Sequence, residues 1–116
     1  GHMAFAGGDN LRVIENHWKR ITHVHTKDVR MGVINALDRT RESFLDAVVK
    51  GAFTVPGDGS LDFEAIVKAL AAKGYEGWFV VEAEQDPKVS PPLEMAKKGH
   101  KELMRVMAAA GYEVVQ

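Results

Sequence analysis

The chain has 116 residues, a net charge of −1, 46% apolar residues and no cysteine. That length suits one compact domain but falls well short of the roughly 250 residues of a complete eight-stranded α/β barrel. Lysine and arginine are scattered rather than clustered, no apolar run approaches the ~18 residues of a membrane span, and thiol chemistry is absent, so nucleic-acid binding, membrane insertion and disulfide scaffolding are all excluded as readings.

In chain order, Asp9 is placed to cap a helix whose Leu11, Ile14 and Trp18 share one face. A strand follows over residues 21–26. The long connection from Asp28 to Asp62 holds a helix, marked by Phe44, Leu45, Val48 and Val49, with Gly51 at its C-terminal cap. It then makes a glycine-rich turn at residues 55–60, in which Asp58 is expected to hold backbone amides. Asp62 caps the next helix, with Phe63, Ile66, Val67 and Leu70 as its apolar stripe and Gly74 as its stop. A second strand spans residues 78–83. Pro91 and Pro92 open a last helix carrying Leu93, Ala96, Leu103, Val106 and Met107, which Gly111 ends. Alternation of this kind predicts an α/β fold with parallel strands and crossover helices. Two strands cannot bury both faces of a sheet, so completion by missing sequence or by another copy is expected.

The chemistry gathers after the two strands. Period-two alternation puts Ile21, His23, His25 and Lys27 on one side of the first. His25 is then at the strand's C-terminal end, where α/β barrels carry their active sites, and His23 one layer deeper as a core histidine. Glu82 follows the four apolar residues 78–81, and a carboxylate there is costly to bury unpaired. Glu84 shares its face and Asp86 opens the loop. His25 and Glu82 suit Mn²⁺, Co²⁺ or Zn²⁺, and two ligands make half of a site. Lys27 is placed to polarise a carbonyl or to pair with Asp28 or Glu84. Arg30 is placed to clamp an anion or hydroxyls, or to lie as an exposed loop arginine. Trp78, Met95, Met104 and Met107 read as packing; His17 and His100 read as surface residues.

Several segments together resemble the C-terminal portion of the inosose dehydratases, in the sugar isomerase/epimerase-like (xylose isomerase-like) TIM-barrel superfamily. They are FAGGD at 5–9, HVHTKDVR at 23–30, SFLDAV at 43–48, FTVPGDG at 53–59 and GWFVVEAEQDP at 77–87. The similarity covers nearly the whole chain, and FTVPGDG and VVEAEQDP are the branch-specific parts. The resemblance implies a single partial (β/α)8 barrel domain over residues 1–116, amounting to about two strand-helix units and a preceding helix. It implies a divalent metal, manganese or cobalt rather than zinc, with His25 and Glu82 as two ligands and two more expected upstream of this chain. Glu82 and Lys27 are the implied catalytic residues, and His2, Arg30 and Glu84 the substrate contacts. Gly1-His2-Met3 also matches a scar of tag cleavage, but the spacing of Gly1-His2 to FAGGD fits the family's DTGH motif, whose Asp is missing here. The implied reaction removes water from 2-keto-myo-inositol, a cyclic polyol ketone, in inositol catabolism. A cytoplasmic location is expected, with the partial barrel inactive alone. A ketose isomerase or epimerase of the same superfamily, or a non-catalytic self-associating barrel piece, are the alternatives.

Overall fold

The computed structural model describes residues 1–115. The elements run α1 (His2–Phe5), α2 (Asn10–His17), a 3-10 turn (Trp18–Arg20), β1 (His23–His25), β2 (Asp28–Val29), α3 (Met31–Ala36), α4 (Phe44–Val49), β3 (Phe53–Thr54), α5 (Phe63–Ala72), β4 (Trp78–Val80) and α6 (Pro92–Ala109). The predicted helices are present, and both main strands are shorter than the expected spans 21–26 and 78–83. α1, α3 and the β2–β3 pair were not foreseen. They lie in segments too short for any periodicity to register.

β1 and β4 pair in parallel, with His23 opposite Trp78, Val24 opposite Phe79 and His25 opposite Val80. The pairing continues one residue further, because the Thr26 amide and hydroxyl both donate to the Val80 carbonyl at 2.7 and 2.8 Å. The chain returns from β1 to β4 through α5, as a parallel crossover requires. β2 and β3 form a small antiparallel ladder, Asp28 opposite Thr54 and Val29 opposite Phe53.

Local chemistry accounts for the helix ends. Asp9 accepts from the Arg12 amide, and Asp62 from that of Ala65. Ser43 and Asp46 form a reciprocal capping box on α4. Gly51, Gly74 and Gly111 all have positive φ just beyond the ends of α4, α5 and α6, the conformation glycine supplies without strain.

Three apolar clusters form the core. Phe63, Val67, Leu103, Val106 and Met107 join α5 to α6. Ile14, Leu70 and Tyr75 join α2 to α5, and Val29, Ile34, Ala47, Ala52 and Phe53 lie around the small ladder. Several sequence expectations are corrected here. Trp78 is 71% exposed rather than packed, and His23 is exposed rather than a core histidine. Leu45 and Val49 face solvent, so α4 buries only Ala47. Leu93 and Ala96 are exposed, and α6 buries Gly99 with Leu103, Val106 and Met107. For Trp78 and His23 the physical reason is that a two-stranded sheet has a free edge on each side. Met107 is buried, Met95 and Met104 are half-buried, and His17 and His100 are on the surface.

Candidate functional site at the C-terminal ends of the parallel strands

Because β1 and β4 are parallel, the residues that follow them emerge at the same end of the sheet. His25 and Glu82, 57 positions apart in sequence, meet there: His25 Nδ1 lies 2.5 Å from Glu82 Oε2. Lys27 Nζ is 3.1 Å from the other oxygen, Glu82 Oε1, and 2.7 Å from Glu84 Oε2. His2, on the first turn of the chain, brings Nε2 within 2.9 Å of Glu84 Oε2 and 3.3 Å of Lys27 Nζ. Its ring packs edge-on against Phe44 and Phe53. The five side chains His25, Glu82, Lys27, Glu84 and His2 thus form one connected polar chain.

Their exposures differ in a way that matters. The imidazoles of His25 and His2 are about half exposed and the two carboxylates about a third, while the Lys27 side chain is 2% exposed. Burial pushes the Glu82 carboxyl up, but hydrogen bonds from His25 and Lys27, with their charges, outweigh it and hold it below the usual range. For Glu84, the Lys27 hydrogen bond is the largest influence and overcomes burial, with His2 adding to it, so this carboxyl too is lowered. The cluster keeps two carboxylates charged at the strand ends.

Other residues lie beside this site rather than in it. Asp86 accepts from the Lys88 amide at 2.9 Å, closing its own turn. Arg30 donates to the Gly51 carbonyl at 2.9 Å, to Thr54 Oγ1 at 3.2 Å and to Asp58 Oδ2 at 2.5 Å. It is half-buried rather than a free loop arginine. Asp58 also accepts from Thr54 Oγ1 at 2.6 Å and pairs with Lys98. Asp58 therefore binds side chains, where amides were expected. The residue that gathers amides is Asp28, wholly buried, which accepts from Val29 at 2.7 Å, Gly59 at 3.1 Å, Ser60 at 3.1 Å and Leu61 at 2.9 Å. Sequence reasoning missed this role, and its only signal was an aspartate and a glycine turn far apart in sequence. Gln85 donates to Thr54 Oγ1 at 3.2 Å, tying the end of β4 to the same cluster.

The donors present fit part of a divalent-ion site. One imidazole nitrogen and one carboxylate oxygen face each other at 2.5 Å, a donor pair of the kind divalent first-row ions take. Among the described residues, no group of three or more His, Asp or Glu converges in this way.

Layered helices over parallel strands, with polar groups collected at the strands' C-terminal ends, define an α/β-barrel type of site. The sequence matches the xylose isomerase-like TIM barrel family over residues 1–110, and the chain belongs to that family. It is similar to the Rhizopine catabolism protein MocC of Rhizobium meliloti, with 54% identity over 98% of this chain and 35% of that protein. It is similar also to the inosose dehydratase of Geobacillus thermodenitrificans, 56% identical over 84% of this chain and 33% of that protein. The inosose dehydratase of Clostridium botulinum (strain Eklund 17B) is 48% identical over 85% of this chain and 33% of its own length. The chain therefore spans about a third of the length of the curated relatives it matches, and its fold is part of a barrel. Among the described residues, no helix is long and apolar enough to cross a membrane.

Proposed function

We propose that this chain is the C-terminal part of a divalent-metal-dependent hydro-lyase that removes water from 2-keto-myo-inositol. The observation that carries this reading is the convergence of His25 Nδ1 and Glu82 Oε2 at the ends of two parallel strands. The inosose dehydratase names of two relatives supply the substrate class. His25 and Glu82 would hold the ion, manganese or cobalt, with the remaining ligands from outside this chain. Bound there, a divalent ion polarises a carbonyl and acidifies the C–H beside it.

The elimination takes a proton from the carbon next to the carbonyl and releases hydroxide from the next carbon, which leaves as water once protonated. One base and one acid are therefore needed. Glu82 and Glu84 are both held ionised, Glu82 toward the ion, and Glu84 keeps negative charge where a proton must be received. His2, half exposed and bonded to Glu84, is placed to orient or protonate a hydroxyl. Arg30 spends three of its five N–H groups on Gly51, Thr54 and Asp58, leaving two for substrate hydroxyls.

The test uses the complete protein with 2-keto-myo-inositol and added Mn²⁺ or Co²⁺, following dione absorbance. Metal-dependent dione formation is the expected result. A ketose isomerised or epimerised without loss of water would replace the hydro-lyase by an isomerase or epimerase. Dione formation unaffected by chelators would remove the metal from the reading.

A further inference from the structure

We propose that Lys27 is a positioning residue that sets how Glu82 meets a cation: its ammonium occupies Oε1 and leaves only Oε2, the oxygen facing His25, for the ion. The inference rests on the metal reading above.

An ammonium has three N–H groups and no acceptor. Within reach of Lys27 Nζ stand Glu84 Oε2 at 2.7 Å, Glu82 Oε1 at 3.1 Å and His2 Nε2 at 3.3 Å. The side chain is 2% exposed, and the ammonium lies 5.5 Å from the centre of the Phe53 ring. Buried to this degree, it has no room to swing out to a substrate oxygen, and it faces the two carboxylates. Lys27 therefore acts through the carboxylates it holds, rather than on substrate.

The two oxygens of Glu82 are committed to different partners, Oε2 to His25 and Oε1 to Lys27. For both oxygens to reach one ion, the Lys27–Oε1 ion pair must break. The ammonium would then sit in a place that admits almost no water to replace it, and a buried charge that loses a partner costs more than an exposed one. The same ammonium anchors Glu84 Oε2, so the two carboxylates stay apart and Glu84 turns toward His2. Glu84 is in this way kept off the ion and on the substrate side.

The experiment is a set of Mn²⁺-loaded crystal structures of the complete protein: the natural sequence, Lys27→Met and Lys27→Arg. Infrared spectra of the carboxylate stretches on Mn²⁺ loading provide a readout in solution. The natural protein and Lys27→Arg should place one Glu82 oxygen on the ion and the other on the cationic side chain. Lys27→Met should place both oxygens on the ion and narrow the splitting of the carboxylate stretches. Two Glu82 oxygens on the ion in the natural protein would overturn the proposal, as would a single one in Lys27→Met, and in both cases the metal reading would stand. No Mn²⁺ in the natural protein would overturn the metal reading and this proposal with it. Should Lys27→Met fail to fold, the natural protein and Lys27→Arg decide the matter: one oxygen in each supports it, two in either overturns it.

Discussion

The Gly59 amide donates to Asp28 Oδ2 at 3.1 Å, and a Cβ on Gly59 would stand 2.4 Å from Asp28 Cγ. The two residues specify each other across the long connection. A buried carboxylate that accepts four amides needs a turn whose backbone approaches without a side chain, and the turn needs an acceptor for amides withdrawn from water.

Gly59→Ala should therefore destabilise the protein by about 1–3 kcal/mol, the usual cost of forcing extra volume into a packed site. The new methyl would also meet the Val29 carbonyl at 2.6 Å, which has little room to give. Asp28→Ala should cost about 3 kcal/mol, because it strips a common acceptor from the amides of Val29, Gly59, Ser60 and Leu61. Urea unfolding measures both, and variants as stable as the parent would refute the account.

Glu82→Gln in the complete protein should lower turnover by at least about 10–100-fold, because an amide replaces the charged oxygen that faces the ion. His25→Ala should weaken metal binding by at least the ~10–100-fold typical of losing a supporting partner around a metal. Elemental analysis after dialysis checks the second and steady-state kinetics the first. Metal content unchanged in His25→Ala would remove that residue from the ligand set.

Acid should act on the turn through Asp58. Burial works against its charge, but hydrogen bonds from Lys98, Thr54 and Arg30, with the Arg30 charge, hold its carboxyl down at about 2 against an ordinary 3.8. A folded-state value below the unfolded one contributes stability above the ordinary value, and that contribution is lost as pH falls through about 2. Asp58→Asn should thus lower the melting temperature near neutrality and shrink the gap to the parent as pH falls from 4 toward 2, on a scale of about one pKa unit per tenfold change in the linked equilibrium. A gap independent of pH would show that the pairing is not what stabilises the turn.

Trp78 reports on the rest of the barrel. In this chain its side chain faces solvent beside the unpaired edge and groove of β4, near Phe79, Met104 and Met107. With Trp78 left as the sole tryptophan, by replacing Trp18 here and every other tryptophan of the complete protein with phenylalanine, the emission of this chain should lie to the red of that of the complete protein. Coincident spectra would mean that nothing covers Trp78 in the whole barrel.

Local signals carried much of the fold. The caps at Asp9, Ser43 and Asp62, the glycines at 51, 74 and 111, and the stripes of α5 and α6 act over one or two turns of chain, where spacing alone reveals them. The strand-end positions of His25 and Glu82 were legible for the same reason. Burial was less legible. Trp78, His23 and Leu93 look like core residues by composition, yet burial depends on whether a neighbouring element is present to cover them.

The sequence by itself determined the helices α2, α4, α5 and α6, the existence of two short strands and which acids and histidines lie at their ends, because each depends on near neighbours. Only the tertiary structure decided the pairings. Of the two partners expected for Lys27, Glu84 is the one it takes, and it reaches Glu82 as well, while Asp28 turns the other way to collect four amides. Asp58, expected to hold its own turn, holds Arg30, Thr54 and Lys98 instead. Such choices depend on which charges and donors are brought together once water is excluded, and segments 30 to 80 residues apart meet only when the strands pair.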